Sequence, residues 1–192
     1  MSWSWSAARG PARCRFRGAV ALAGALGLAA CSSSAPEAPP AACPAALFLD
    51  GAERTSAYRA GSGAEPSPDQ LRYIAVLADL TSSCSYFESG GNKGVDVDLT
   101  FNLIAERGPA LSGVEELTYF VATVGPGRQV RSEHVLNGDL AFAEGEQRAG
   151  WTESLTLRLP SVTPAVAKDY MLFIGFKLDD EELKRREQPL LR

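Results

Sequence analysis

A strict alternation of apolar and polar residues in the middle of the chain constrains its fold more than any other feature. In the stretch GVDVDLTFNLIA the apolar positions are Val95, Val97, Leu99, Phe101 and Leu103, and polar residues occupy the positions between them. Successive side chains of a β-strand point to opposite faces of a sheet, so a period of two predicts a strand with one buried face and one wet face. The segment is therefore expected in an antiparallel sheet that covers a core.

Six further segments have the composition of strands, and turn-forming sequences such as ESGGNKG, RGPALSG, GPG and NGD separate several of them. The predicted strands cover residues 45–50, 71–83, 116–124, 127–136, 151–160 and 169–178. No helical repeat lies between them. About seven strands in this arrangement predict an all-β fold, an antiparallel β-sandwich.

The segment DDEELKRREQP after the last strand predicts a short C-terminal helix. Asp179 can cap its start, with Glu182 three residues later, and Pro189 ends it. The basic residues Lys184, Arg185 and Arg186 follow the acidic first turn, which suits the helix dipole. They form either a solvated helix face or a docking site.

One pair of segments resembles a known sandwich family. The stretch LTLRLP is followed by a connection of about ten residues and then by Tyr170 at the start of an apolar strand. This order is similar to strands E and F of immunoglobulin and fibronectin-like folds, in which a tyrosine stands at that corner. The resemblance implies an immunoglobulin-like sandwich, and another β-sandwich is the alternative.

The first thirty residues have the organisation of a secretory signal peptide. Four arginines, at positions 9, 13, 15 and 17, precede an apolar run over residues 18–30, and no acidic residue occurs before it ends. A basic segment followed by a short apolar run is typical of export signals. The run is shorter than the roughly 20 residues of a membrane-spanning helix. We therefore expect residues 1–30 to be a removable leader.

The leader ends in Leu28, Ala29, Ala30 and Cys31, which resemble the lipobox of bacterial lipoproteins. The resemblance implies that the leader is cut before Cys31 and that acyl chains on this residue hold the protein on a membrane. In the sorting rule of this family in enteric bacteria, an Asp after the cysteine retains the protein at the inner membrane; Ser32 stands there instead, so the resemblance favours the outer membrane. Leader and β-rich domain together are similar to small uncharacterised lipoproteins of proteobacterial envelopes.

A proline-rich stretch separates Cys31 from the predicted domain. Residues 32–42 read SSSAPEAPPAA, a composition that cannot form a core and that favours an extended chain. We therefore predict three parts: a signal peptide at 1–30, a lipidated cysteine with its tether at 31–42, and a single sandwich domain at 43–192.

The predicted domain contains two cysteines, Cys43 and Cys84. In an exported chain two such cysteines most often form a disulfide, and this one would close a loop of about 41 residues. Closing a loop of this length stabilises a fold by about 4 kcal/mol in the chain-entropy treatment. A redox role has little support because the chain has no C-x-x-C motif.

Charge and residue types narrow the chemistry that the domain can perform. Without the leader the chain has 15 basic and 23 acidic residues, a formal charge of −8, which argues against nucleic acid as a partner. His134 is the only histidine, and no G-x-S-x-G motif accompanies it. Asp96 and Asp98 share a strand face, but alternation alone explains them, and Ca²⁺ requires six to eight oxygens. We predict no cofactor, no metal site and no enzymatic activity.

The sequence thus favours a lipid-anchored envelope protein whose sandwich binds another protein through a sheet face or an edge strand. Two alternatives stay open. One is a small-molecule-binding module with an apolar cleft. The other is a hydrolase of an envelope polymer that uses Asp96, Asp98 or Glu106 as acid and base, with carboxyls about 5 to 9.5 Å apart beside a groove.

Overall fold

The computed structural model describes residues 41–63 and 65–187, and within them the chain forms the predicted all-β sandwich with one short C-terminal helix. The leader, the lipobox with Cys31, and the tether up to residue 40 lie outside the described residues. The elements are β1 (Ala45–Phe48), β2 (Arg54–Tyr58), β3 (Leu71–Ser89), β4 (Asn92–Arg107), β5 (Glu115–Gly125), β6 (Gln129–Leu140), β7 (Arg148–Pro160), β8 (Met171–Phe176) and α1 (Asp180–Glu187).

The strands form two four-stranded sheets. Sheet A has the order β1-β8-β5-β6, and sheet B has the order β2-β3-β4-β7. The chain passes from sheet B to sheet A between β4 and β5 and again between β7 and β8. All pairs are antiparallel except β1 with β8, where Ala45 lies opposite Met171 in a parallel register. That pair joins the two ends of the domain, so no hairpin turn forces it to be antiparallel.

The core lies between the sheets, and β4 contributes its alternating apolar side chains as the sequence predicted. Val95, Val97, Leu99, Phe101 and Leu103 are each no more than 1% exposed. The ring of Phe101 packs edge-on against Phe48 and Tyr119 of sheet A, with centroids 6.4 and 6.1 Å apart. Edge-to-face pairs of this kind stabilise a core beyond the area they bury.

The disulfide between Cys43 and Cys84 is confirmed, with a Cα–Cα distance of 5.8 Å. Cys84 lies on β3 of sheet B, whereas Cys43 stands two residues before β1 of sheet A. The Tyr86 hydroxyl donates a hydrogen bond to the Ala42 carbonyl beside it. The disulfide therefore ties the two sheets together where the described chain enters the sandwich.

Strand β2 was not predicted, because RTSAY has little apolar alternation. Its support comes from α1. Glu182, 4% exposed, accepts hydrogen bonds from the Thr55 hydroxyl at 2.8 Å and the Ser56 N–H at 3.0 Å. Arg186 donates both to Glu182, at 2.8 Å, and to the Arg54 carbonyl, at 2.5 Å. The helix thus satisfies backbone groups on the outer edge of β2, which would otherwise be open to strand pairing.

The helix begins as predicted, since Asp179 Oδ1 accepts a hydrogen bond from the Glu182 N–H at 2.7 Å. Its basic cluster is neither simply solvated nor left open for docking. The Arg185 guanidinium lies 5.3 Å from the centre of the Tyr58 ring, and Arg186 is bound to Glu182. Two of the three basic side chains therefore hold α1 on its own domain.

Candidate binding surface

The outer face of sheet B, here called the polar face, is a ladder of paired polar side chains from β4 and β7. Arg158 donates two hydrogen bonds to Asp96, at 2.8 and 2.7 Å, and Thr156 donates to Asp98 at 2.6 Å. Thr152 and Arg148 make the corresponding bonds to Asn102 and Glu106 further along. Directly opposed pairs of this kind stabilise a sheet, and here they give its wet face partners within the domain.

The carboxylates considered for hydrolysis all belong to this ladder. Asp96, Asp98 and Glu106 lie along one strand, and each is engaged by a side chain of β7. Hydrogen bonds from Arg158 lower the pKa of Asp96, which favours its ionised form. A general acid must carry a proton, so Asp96 is poorly suited to that role. Among the described residues, no group of three or more His, Cys, Asp or Glu side chains could hold a metal ion.

A cluster of polar side chains between the sheets was not predicted from the sequence. The Tyr119 hydroxyl donates a hydrogen bond to Glu153 at 2.5 Å, and the Trp151 indole donates to the same oxygen at 3.3 Å. Burial and the Glu153 carboxylate raise the pKa of Tyr119, so this hydroxyl stays protonated. In WTESLTLRLP, Glu153 occupies a position at which the alternation predicts an inward-facing apolar residue. A carboxylate there could have indicated a polar contact between the sheets. The cluster holds Trp151 over Gly138, where a Cβ would lie 2.3 Å from the indole ring.

His134 lies on β6, opposite Val121, and is exposed to solvent. It makes no hydrogen bond with another side chain in the described part of the chain. Among residues 41–63 and 65–187, no hydrogen bond links His134 to a nucleophile or to an orienting carboxylate, as a catalytic triad requires.

The outer face of sheet A, here called the apolar face, has the opposite character. It is formed by side chains that alternate with the core positions of β5 and β8 and by their neighbours on β1 and β6. These residues are Leu47, Phe120, Ala122, Val124, Val130, Val135, Met171 and Phe173. Val130 and Val135 are 64% and 53% exposed, and Leu47 is 37% exposed. A contiguous exposed apolar patch of this kind marks an interaction or ligand surface more often than a scattered one does.

A groove of about 670 Å³ runs over this face. Its floor includes Ala122, and its walls include Phe120, Phe173 and Val130. Neighbouring Gly175 has no side chain on this face, and a Cβ there would stand 2.8 Å from the Ala52 Cβ and 3.1 Å from the Phe120 ring. Ala52 and Phe120 therefore fill the space above Gly175, and Ala122 is the small residue that lines the groove itself.

Charged side chains stand at the two ends of the groove. Arg128 lies at one end, in the turn between β5 and β6. Toward the other end Lys177 donates a hydrogen bond to Glu133 at 3.1 Å. Because Lys177 follows β8 and Glu133 lies on β6, this ion pair reaches across β5, which lies between those strands. The groove is thus apolar along β5 and β8, with Arg128 at one end and the Lys177–Glu133 pair across its other half.

The sequence contains a pattern that indicates this face. The stretches YFVATV in β5 and MLFIGF in β8 are almost continuously apolar, rather than alternating as β4 is. A continuous apolar run is typical of a strand that is covered on both faces. The core covers one face of these strands, and the described residues leave the other face open.

No helix within residues 41–63 and 65–187 is long and apolar enough to cross a membrane. No protein-family model matches the chain, and neither a curated protein nor a solved structure matches it.

Proposed function

We propose that this chain is a lipid-anchored protein of the cell envelope whose sandwich is a non-catalytic binding module, and that it binds through the apolar face. The observation that carries the proposal is the contrast between the two outer faces. On the polar face, charged side chains find partners within the domain. The apolar face exposes aliphatic and aromatic side chains around a groove, with no described part of the chain over it.

The anchor is proposed from the leader and the Leu28-Ala29-Ala30-Cys31 motif. Two or more acyl chains on Cys31 would give stable membrane attachment. The eleven residues of the tether reach about 30 to 35 Å in a polyproline-like extended chain, which lets the domain stand clear of the headgroups. The tether joins the sandwich at Cys43, next to β1, which is the edge strand of sheet A. The apolar face therefore belongs to the sheet to which the anchor is attached.

The occupant expected from the sequence is another envelope protein. The concavity of the groove favours the alternative of a smaller ligand, because ligand sites are usually apolar clefts of about 300 to 1,000 Å³. The third reading, a hydrolase of an envelope polymer, gains no support, since its candidate carboxylates are held by partners on β7.

Metabolic labelling with an alkyne fatty acid tests the anchor, followed by membrane fractionation of the source cells or of a lipoprotein-processing host. The wild-type chain and Cys14→Ser, which changes only the leader, should both incorporate the label and fractionate with membranes. Cys31→Ser should lose the label and the membrane association. Label that persists in Cys31→Ser would contradict the proposed anchor.

A further inference from the structure

We propose that the groove of the apolar face binds the alkyl chain of a single-chain anionic amphiphile, such as a fatty-acid carboxylate, with its headgroup at Arg128. The inference rests on the proposed function, because it takes the apolar face as the binding surface. It goes further by committing to the chemistry of the occupant and to its orientation.

The shape of the groove fits one alkyl chain. Val124 and Phe120 stand four residues apart on the same face of β5, a separation of about 14 Å at the usual strand rise. Over this length β5 and β8 contribute apolar side chains, with Ala122 as the floor, and Glu133 of β6 stands beside Ala122. Each methylene group of an alkyl chain that is buried makes binding more favourable, and the chain has no polar group that needs a hydrogen-bond partner. A peptide segment would bring backbone N–H and C=O groups, which this lining does not satisfy.

The charge at the turn end selects an anion. Arg128 makes no hydrogen bond or ion pair with any side chain in the described ranges, and it lines the mouth of the groove. Its backbone has φ +59°, a left-handed conformation that non-glycine residues seldom adopt, directly after Gly127. The turn therefore fixes the direction in which this side chain leaves the backbone. A guanidinium in this position can bind a carboxylate or a phosphate through two parallel hydrogen bonds.

The other end of the groove does not compete for the headgroup. Lys177 is already paired with Glu133, so the local charge there is balanced. Because Glu133 lies opposite Ala122 and the Lys177 N–H bonds to the Thr118 carbonyl, the pair crosses β5 between the levels of Ala122 and Thr118, on the side of the groove away from Arg128. One unpaired cation at one end and a neutral pair at the other give the ligand a single preferred orientation.

Isothermal titration calorimetry on the Cys31→Ser chain tests the inference, with octanoate, decanoate and laurate below their micelle-forming concentrations. Affinity should rise along this series by up to about fifteenfold for each two methylene groups buried. Dodecyltrimethylammonium carries the same tail as laurate with a cationic head, and it should bind at least tenfold more weakly.

Matched variants locate the site. Arg128→Gln should weaken laurate binding by about tenfold and should not weaken binding of the cationic amphiphile, since it removes a like charge. Arg148→Gln removes an exposed arginine from the polar face and should bind laurate as the unsubstituted chain does. Ala122→Phe fills the floor of the groove and should abolish binding. If Ala122→Phe does not fold by circular dichroism, Val130→Asp provides the same test at an exposed position.

The contrary outcomes are equally specific. A folded chain that does not bind laurate overturns the inference, and so does laurate binding that is unchanged in both Arg128→Gln and the groove variants. Flotation with phospholipid vesicles without laurate binding would assign the face to a bilayer surface instead. Self-association that Val130→Asp abolishes, again without laurate binding, would assign it to a second copy. Because Cys31→Ser has no acyl chain of its own, none of these results depends on the anchor experiment.

Discussion

The two outer faces of the sandwich differ in the side chains that they present to solvent. On the polar face, β4 and β7 place complementary side chains opposite each other, as in the pair of Asp96 with Arg158. On the apolar face, β5 and β8 present Phe120 and Phe173, which the described chain leaves uncovered. The difference teaches that sheet B is complete by itself, whereas sheet A has a surface suited to an occupant.

The largest expected effect concerns the disulfide that secures β1 at the edge of the apolar face. Replacing both Cys43 and Cys84 with alanine should lower the free energy of unfolding by about 4 kcal/mol, since the unfolded chain regains the freedom of a 41-residue loop. Urea denaturation measures the loss, and reduction of the wild-type protein should reproduce it. A loss below about 1 kcal/mol would show that other contacts hold the entrance of the chain.

The second-largest effect is expected when a charge is placed on each face and the losses of stability are compared. Ala122→Asp puts a carboxylate on the buried floor of the groove and should cost about 1 to 3 kcal/mol of stability, because nothing there can solvate it. Ser154→Asp puts the same group on the polar face and should change stability by no more than about 0.5 kcal/mol. Thermal and urea unfolding of the two variants give the comparison. Equal costs would mean that the faces do not differ as described.

Binding of the dye 8-anilinonaphthalene-1-sulfonate should follow the same division. Phe173→Asn removes a wall of the groove and should lower the fluorescence of the bound dye several-fold, because the dye needs contiguous apolar surface. Ser154→Asn changes an exposed side chain on the polar face and should leave the signal unchanged. Equal signals from the two variants would place the dye elsewhere.

The smallest effect is a pH dependence on the polar face. Arg158 lowers the folded-state pKa of Asp96, so this carboxylate contributes stability above its unfolded pKa of about 3.9, and the contribution disappears as the pH falls through the folded value. Asp96→Asn should therefore lose less stability than the wild type when the melting temperature is followed from pH 5 down to pH 2. Parallel profiles would show that the pair adds nothing measurable.

The architecture was largely predictable because alternation depends only on local geometry. The pattern around Phe101 gave β4 and its buried face, and Asp179 gave the start of α1. Strand β2 could not be predicted, because a distant side chain, Glu182, satisfies its edge. The parallel pairing of β1 with β8 likewise depends on contacts between the two ends of the domain.

The candidate site was only partly predictable. From the sequence, Asp96 and Asp98 were candidate site residues, but they belong to the paired polar face. The apolar runs of β5 and β8 were predicted only as strands. Those runs indicate strands covered on both sides, but sequence does not say whether the second cover is part of the same chain. The immunoglobulin-like order of β7 and β8 and the acylation of Cys31 stay predictions.

The most direct test of the central claim is photo-crosslinking in intact cells, with a photoreactive residue at Val130 on the apolar face or at Thr156 on the polar face. The account predicts specific adducts, with a lipid or a defined protein, from position 130 and none from position 156. Adducts from position 156 alone, or equally from both positions, would contradict the assignment of the apolar face as the binding surface.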